Sequence, residues 1–165
     1  MARDRDAFEE LVDQHGASVM ALLRRLCGSG HDAEDVFQDV ALRAWRNLNS
    51  RPRLRSPRGW LMTIAYHAYL DHRTRNPTVR PLTEDDSIPS ARREHDPVAI
   101  AEHRERCLVL HRAVAGLSPG LHEVIVLHYT GGLTLRQIAS AMGLSVGTVK
   151  SRLSAGLEQL RRQIS

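Results

Sequence analysis

LTLRQIASAMGLSVGTVKSRLSAGLEQL, residues 133–160, reads as two short helices joined by a glycine turn. Thr134 can cap the first helix, and Gln137 follows three residues later, the spacing of a capping box in which each side chain satisfies an orphan amide of the other. Ile138, Ala139 and Met142 then form the buried stripe. Gly143 stands where the chain must take a left-handed turn, which a residue without a Cβ enters at little steric cost. Ser145 can accept the free amide hydrogens that open the second helix. Val146, Val149, Leu153, Leu157 and Leu160 recur at intervals of three and four and so share one face. The opposite face carries Gly147, Thr148, Lys150, Ser151 and Arg152, short hydroxyls and flexible cations suited to phosphates and base edges in a major groove. A plain helical hairpin also tolerates small residues. Ala139 at the crossing, Gly143 in the turn and Val149 in the core favour a helix-turn-helix instead.

The rest of the 165-residue chain is consistent with a nucleic-acid partner in its charge pattern more than in its total. The formal charge is only +4, yet residues 1–75 hold twelve arginines against ten acids, residues 76–100 three against five, and residues 101–165 eight basic residues against four acids. Two basic blocks therefore flank an acidic bridge. Between Asp39 and Asp71 no acid occurs, while Arg43, Arg46, Arg51, Arg53, Arg55 and Arg58 do. A merely solvated surface mixes the signs, so a polyanion explains this run better. Cys27 and Cys107 are too few and too far apart for a disulfide framework. The opening MARDRDAFEEL has no long apolar run, so neither a secretory signal nor a membrane span is expected, and a reducing cytoplasm fits.

Helical periodicity accounts for nearly every apolar residue. Phe8, Leu11, Val12, Val19, Leu22, Leu23 and Leu26 mark a first helix ending at Gly28, Ser29 and Gly30. Asp32 can cap a second, with Val36, Phe37, Val40, Ala41, Ala44, Trp45 and Leu48 inward and Asp35, Gln38, Asp39, Arg43 and Arg46 outward. NSRPRLRSPR at 49–58 reads as a basic loop, and Ser56 with Pro57 makes a helix start. The third helix buries Trp60, Leu61, Ile64, Ala65 and Ala68, leaving Tyr66 and His67 on other faces. Residues 76–97 hold four of the seven prolines and little to bury, which predicts a flexible linker that lets its neighbours move separately. A helix over about Val98–Leu117 follows, then one opened by Ser118 and Pro119 that runs to Tyr129. No alternating strand pattern appears. The expectation is an all-α chain of two small helical domains, 1–75 and 98–165, joined by the linker 76–97.

Three segments carry a family resemblance. DAEDVFQDVALRAWR at 32–46, SPRGWLMTIAYHAYLDHRTR at 56–75 and GLSVGTVKSRL at 143–153 resemble, in order and separation, the signature segments of the extracytoplasmic-function class of bacterial RNA polymerase sigma factors. The resemblance implies a sigma-two domain, then a sigma-four domain with none between. It places Asp35, Gln38, Asp39 and Arg43 on the clamp helices of the polymerase largest subunit. It assigns Arg51, Arg53, Arg55 and Arg58, with Tyr66 as a stacking surface and His67 as a hydrogen-bonding tip, to the minus-ten promoter element. Gly147, Thr148, Lys150, Ser151 and Arg152 would read the minus-thirty-five element. An anti-sigma protein is a further implied partner, the chemistry belongs to the polymerase, and no cofactor is implied.

Two departures from the family pattern stand out. Family members often carry Arg-Asn where this chain has Tyr66-His67. Two arginines usual near the middle of the last helix are replaced by Ala155 and Leu157, with Gly156 between them costing the helix about 1 kcal/mol relative to alanine. Fewer phosphate anchors imply weaker, less salt-dependent upstream binding.

Other classes fit less well. The helix-turn-helix alone also suits the output domain of a response regulator, but that reading needs a strand-containing receiver, and the first 75 residues show no strand pattern. His31-Asp32 and His95-Asp96 are dipeptides a metal-dependent phosphohydrolase could use, although the second lies in the expected linker. His103, Cys107 and His111 share a helical face, close to zinc-ligand geometry but one ligand short. A polar seam explains them more simply.

Overall fold

A computed structural model of the chain describes residues 2–48, 56–77 and 97–164. These form seven helices: α1 Ala2–Cys27, α2 Gly30–Asn47, α3 Pro57–Arg75, α4 Pro97–Ala115, α5 Pro119–Tyr129, α6 Leu135–Met142 and α7 Val146–Ile164. Among the described residues there is no strand, so the all-α expectation holds and a receiver domain finds no counterpart in α1–α3. Most of the expected linker, residues 78–96, lies outside the described residues, as do Arg51, Arg53 and Arg55 of the basic loop and the dipeptide His95-Asp96.

The first three helices pack through narrow apolar stripes. Along α2 the buried residues are Ala33, Val36, Val40 and Ala44, steps of three and four that keep one face inward. Trp45 lies one position further round the helix and is 45% exposed, contrary to the inward placement expected for it. Its indole instead meets the Phe8 ring edge-on at 5.4 Å. The cap of α2 also differs from expectation. Ser29, with extended backbone, accepts from the Asp32 amide at 3.4 Å, while Asp32 occupies the first turn, where its carboxylate favours the positive end of the helix. Ser56 and Pro57 open α3 as expected, the Ser56 hydroxyl accepting from Gly59 N at 3.0 Å.

α5 is the hub of the molecule. Its residues Glu123, Val124, Ile125, Val126 and Leu127 are buried in succession, a helix enclosed on every side. It packs against α1 as well as α4, α6 and α7, and α3 packs against α6. One continuous apolar cluster therefore runs from Leu22, Val36 and Met62 in the amino-terminal half to Leu127, Ile138 and Val149 in the carboxyl-terminal half. In this structure the helices on either side of the expected linker therefore share apolar contacts. Tyr66 and Tyr69 on α3 are buried in this cluster, and such rings carry too much apolar surface to leave in water when neighbouring helices can shield them. A smaller cluster of Leu117, Ile125 and Leu160, flanked by Leu121, Leu153 and Leu157, fixes α7 on α5.

Candidate nucleic-acid interface

Local chemistry builds the helix-turn-helix as its sequence suggests. Thr134 Oγ1 accepts from Gln137 N at 3.2 Å, and Gln137 Oε1 accepts from Thr134 N at 2.9 Å, completing the capping box. Gly143 adopts φ 66°, the left-handed conformation that ends α6 and turns the chain toward α7. Ser145 Oγ accepts from Thr148 N at 3.1 Å. Ile138 and Val149 are fully buried where the two helices cross. Gly147, Thr148, Lys150 and Ser151 are exposed and share the outer side of α7; Arg136 of α6 is also exposed.

Two residues of α7 depart from expectation. Val146 is 43% exposed instead of inward, because the helix begins there and no neighbour covers its first turn. Arg152 is half-buried, and its guanidinium lies over Gly120 at the start of α5, close enough that a Cβ there would sit 3.2 Å from Nη1. Arg152 therefore braces α5 against α7 and only partly faces outward. Gly156, expected to be a simple weakness of the helix, is buried against Ile125, where a Cβ would approach Cγ1 to 3.0 Å. The missing side chain lets the two helices meet.

The α3 residues expected at the minus-ten element are held by the other half of the chain. Arg58 Nη1 donates to the Gly131 carbonyl at 2.6 Å and lies directly over Gly132, whose φ of 66° and lack of a side chain both permit the approach. Tyr66 is 2% exposed, and its hydroxyl donates to Glu123 Oε2 at 2.7 Å. Instead of offering a stacking surface, its ring is enclosed within the apolar cluster. Burial raises its hydroxyl pKa well above the ordinary value, and the bond to Glu123 raises it further. His67 Nε2 donates to the Ala141 carbonyl at 2.9 Å.

Glu123 and Arg73 form a pairing between the halves that motif reading does not reveal. Glu123 is 5% exposed and accepts from Tyr66 on one oxygen and from Arg73 Nη1 on the other. An unpaired carboxylate there would cost several kcal/mol in lost hydration, and the two donors offset that cost. The signal was present: a single acid beside the apolar run VIVL at 124–127 must find a partner once the helix is enclosed. Beside these residues lies a cavity of about 550 Å³ between the halves, lined by Cys27, Asp32, Tyr69, His72, Arg73 and His122. Burial, aided by the charge of Asp32, pushes the Cys27 thiol up to about 12.

The outer face of α2 remains open. Asp35 and Gln38 are exposed, and Leu42, 54% exposed, stands with Trp45 on the same side. Arg43 is engaged, bridging Asp39 at 2.8 Å and Asp71 of α3 at 2.7 Å. Such part-exposed pairs contribute about 0.2–1 kcal/mol each, so Arg43 acts chiefly as a tie between helices.

The residues considered for metal are not assembled into a site. His111 accepts from Arg25 at 2.6 Å, leaving His103 and Cys107 as a pair 3.6 Å apart. Among the described residues no group of three or more His, Cys, Asp or Glu converges on a point where a metal ion could sit. His31 lies 3.7 Å from Asp35, one turn along α2. No helix of the described residues is long and apolar enough to cross a membrane.

Comparison with known proteins accords with this arrangement. Residues 11–77 match Sigma-70 region 2, and residues 107–160 match Sigma-70, region 4. The chain is 34% identical to the ECF RNA polymerase sigma factor SigE of Mycolicibacterium smegmatis over 94% of its own length, spanning 60% of that relative. It is 33% identical to SigL of Mycobacterium tuberculosis and 30% identical to SigW of Bacillus subtilis, covering 97% and 98% of this chain and 90% of each relative. In fold it is similar to the sigma factor RpoE of Bartonella quintana, solved with the anti-sigma factor NepR, at a TM-score of 0.73, 22% identity and 96% coverage of both chains. It is likewise similar to CnrH, solved with the cytosolic domain of CnrY, at a TM-score of 0.66 and 26% identity over 96% of this chain and 87% of that one. With both regions matched in order and two relatives covered nearly end to end, the chain belongs to the extracytoplasmic-function class of RNA polymerase sigma factors.

Proposed function

We propose that this chain docks on the core of a bacterial RNA polymerase through the outer face of α2, with Asp35 and Gln38 beside the exposed apolar pair Leu42 and Trp45, and directs that enzyme to a set of promoters. Arg43 and Asp39 shape this face by tying α2 to α3. Upstream, Gly147, Thr148, Lys150 and Ser151 on α7 read the minus-thirty-five element, with Arg152 bracing the helix and reaching the backbone. Downstream, Arg58 and His67, together with Arg51, Arg53 and Arg55, engage the minus-ten element, joined by Tyr66 once its ring is freed from Glu123; phosphate contacts and base stacking there offset the few kcal/mol needed to unstack a base. The protein acts in the cytoplasm as a specificity subunit and performs no catalysis of its own. An anti-sigma protein is proposed as a regulatory partner, since the similar sigma factor RpoE was solved with the anti-sigma factor NepR.

The observation that carries this reading is the pairing, in one chain, of a capped helix-turn-helix having a bare hydroxyl-and-cation face with a separate α2 face that leaves Leu42 and Trp45 in water. Large exposed apolar side chains grouped on one helix mark a docking surface. Purified protein mixed with core polymerase and a pool of genomic promoter fragments tests the proposal. Transcripts from start sites that core alone ignores are expected. Their complete absence, with binding to core also absent, would overturn it.

A further inference from the structure

The residues lining the cavity of about 550 Å³ are distinct from those assigned to polymerase or promoter contact. A volume of this size holds a small organic molecule. Leu26, Leu117 and Pro119 give it apolar wall, and Tyr69 brings an aromatic ring, a platform for an offset or edge-on partner. The charged groups on the same walls do not balance. Asp32 has His72 3.5 Å away, and Arg73 is matched by Glu123. His122, whose pKa is lowered by burial, brings an uncharged imidazole at neutral pH. Arg25 is only part-exposed and has no acidic counterpart: its Nη1 donates to the His111 imidazole at 2.6 Å, and among the described residues no carboxylate pairs with it. The carbonyl end of α1, where Arg25 stands, offsets a full positive charge only in part.

We propose that this cavity binds a small aromatic monocarboxylate, with the ring against Tyr69, Leu26 and Leu117 and the carboxylate held by Arg25. A guanidinium grips a carboxylate through two parallel bonds, and with Nη1 engaged by His111 the Nε and Nη2 edge remains for the two oxygens. One ligand charge answers the one unmatched cation, so a monoanion fits better than a dicarboxylate or a phosphate monoester, whose second charge would be desolvated without a partner. A cation of the same shape meets Arg25 as a like charge and finds only Asp32, which already has His72 beside it. An occupant binds the folded chain alone and so raises its melting temperature by mass action. Occupation requires neither polymerase nor DNA, so this site and the promoter-directing role stand or fall separately.

Cys27 lines the cavity and reports its occupancy, and Cys107, outside the cavity, is the internal control. Naphthylacetate is the probe. Naphthylmethylamine carries the same rings with a positive charge, naphthylmethanol with no charge, and acetate has the carboxylate without the rings. Each is titrated into the full chain, and iodoacetamide labelling of the two cysteines is followed by mass spectrometry beside the melting temperature. Naphthylacetate is expected to slow Cys27 labelling several-fold, leave Cys107 unchanged and raise the melting temperature by a few degrees. At the same concentrations the amine and acetate do neither, and the alcohol acts only weakly. Arg25→Met keeps the stem and removes the fork, so it weakens naphthylacetate about tenfold and leaves the weak effect of the alcohol as it was; Arg25→Lys, which restores the charge without the fork, falls between. Failure of naphthylacetate to protect Cys27 up to its solubility limit overturns the site. Equal protection by the amine or the alcohol overturns the assignment of a carboxylate, and protection of undiminished strength in folded Arg25→Met overturns the role of Arg25. The ligand series on the unaltered chain decides the first two points even if that variant does not fold.

Discussion

Replacing Gly156 with alanine separates what the sequence implies about α7 from what the packing implies. On propensity alone the change stabilises the helix by about 1 kcal/mol. In the structure, however, the added Cβ lies 3.0 Å from Ile125 Cγ1 and 3.3 Å from Cδ1, with Leu121 Cβ at 3.8 Å. Ile125 is itself buried in the cluster with Leu117 and Leu160, so it cannot swing aside into solvent. Overpacking of this kind costs about 1–3 kcal/mol. Subtracting the propensity gain leaves a net loss between about 0 and 2 kcal/mol, and its centre corresponds to a melting temperature lower by about 2–4 °C for a chain of this size. In an Ile125→Ala background the obstruction is gone, and Gly156→Ala becomes stabilising by about 1 kcal/mol. The double-mutant cycle, followed by far-UV circular dichroism in urea, therefore has a coupling energy of about 2 kcal/mol. If Gly156→Ala stabilises equally in both backgrounds, the tight crossing of α5 and α7 is wrong.

Three further outcomes follow from particular side chains. Lys150→Ala lowers upstream promoter affinity and reduces the salt slope by about one with the melting temperature unchanged, whereas Arg152→Ala lowers both affinity and melting temperature because it also removes the brace over Gly120; footprinting across a salt series with parallel melts distinguishes them. Thr134→Ala breaks one half of the capping box and destabilises the carboxyl-terminal helices by about 1 kcal/mol, read as a shift in urea midpoint. His122 has its pKa lowered by burial, with neighbouring Glu123 opposing, so the unfolded chain takes up a proton that the folded one resists. Stability is thus full above the ordinary histidine range and falls as pH drops through it, and His122→Gln flattens that part of the melting-temperature profile from pH 8 to pH 5.

Elements governed by local rules were legible from the sequence. The capping box at Thr134 and Gln137, the left-handed Gly143 and the Ser56-Pro57 start depend on neighbours within four residues, and each stands where expected. Placement failed where a distant helix decides it. The position of Tyr66 lies off the main stripe of α3 and so reads as outward, but Glu123, more than fifty residues later, takes its hydroxyl and the apolar cluster encloses its ring. Trp45 was assigned inward by hydrophobicity although the α2 stripe is too narrow to hold it. Gly156 looked like a defect since its meaning lies on Ile125. Ser29 and Asp32 both had the chemistry of a cap, and backbone geometry, which composition does not reveal, chose the serine. For the proposed interface, the outer residues of α7 were readable from spacing alone. The role of Glu123 was not, because an acid's partners are set by whichever helices enclose it.

The double use of positions 66 and 67 constrains how this protein can change over generations. Any substitution there that alters promoter choice also alters a bond that joins the two halves of the chain, so preference and internal packing are inherited together. Lineages that altered residue 66 are expected to have altered residue 123 in step, because the buried Glu123 carboxylate keeps its need for a donor.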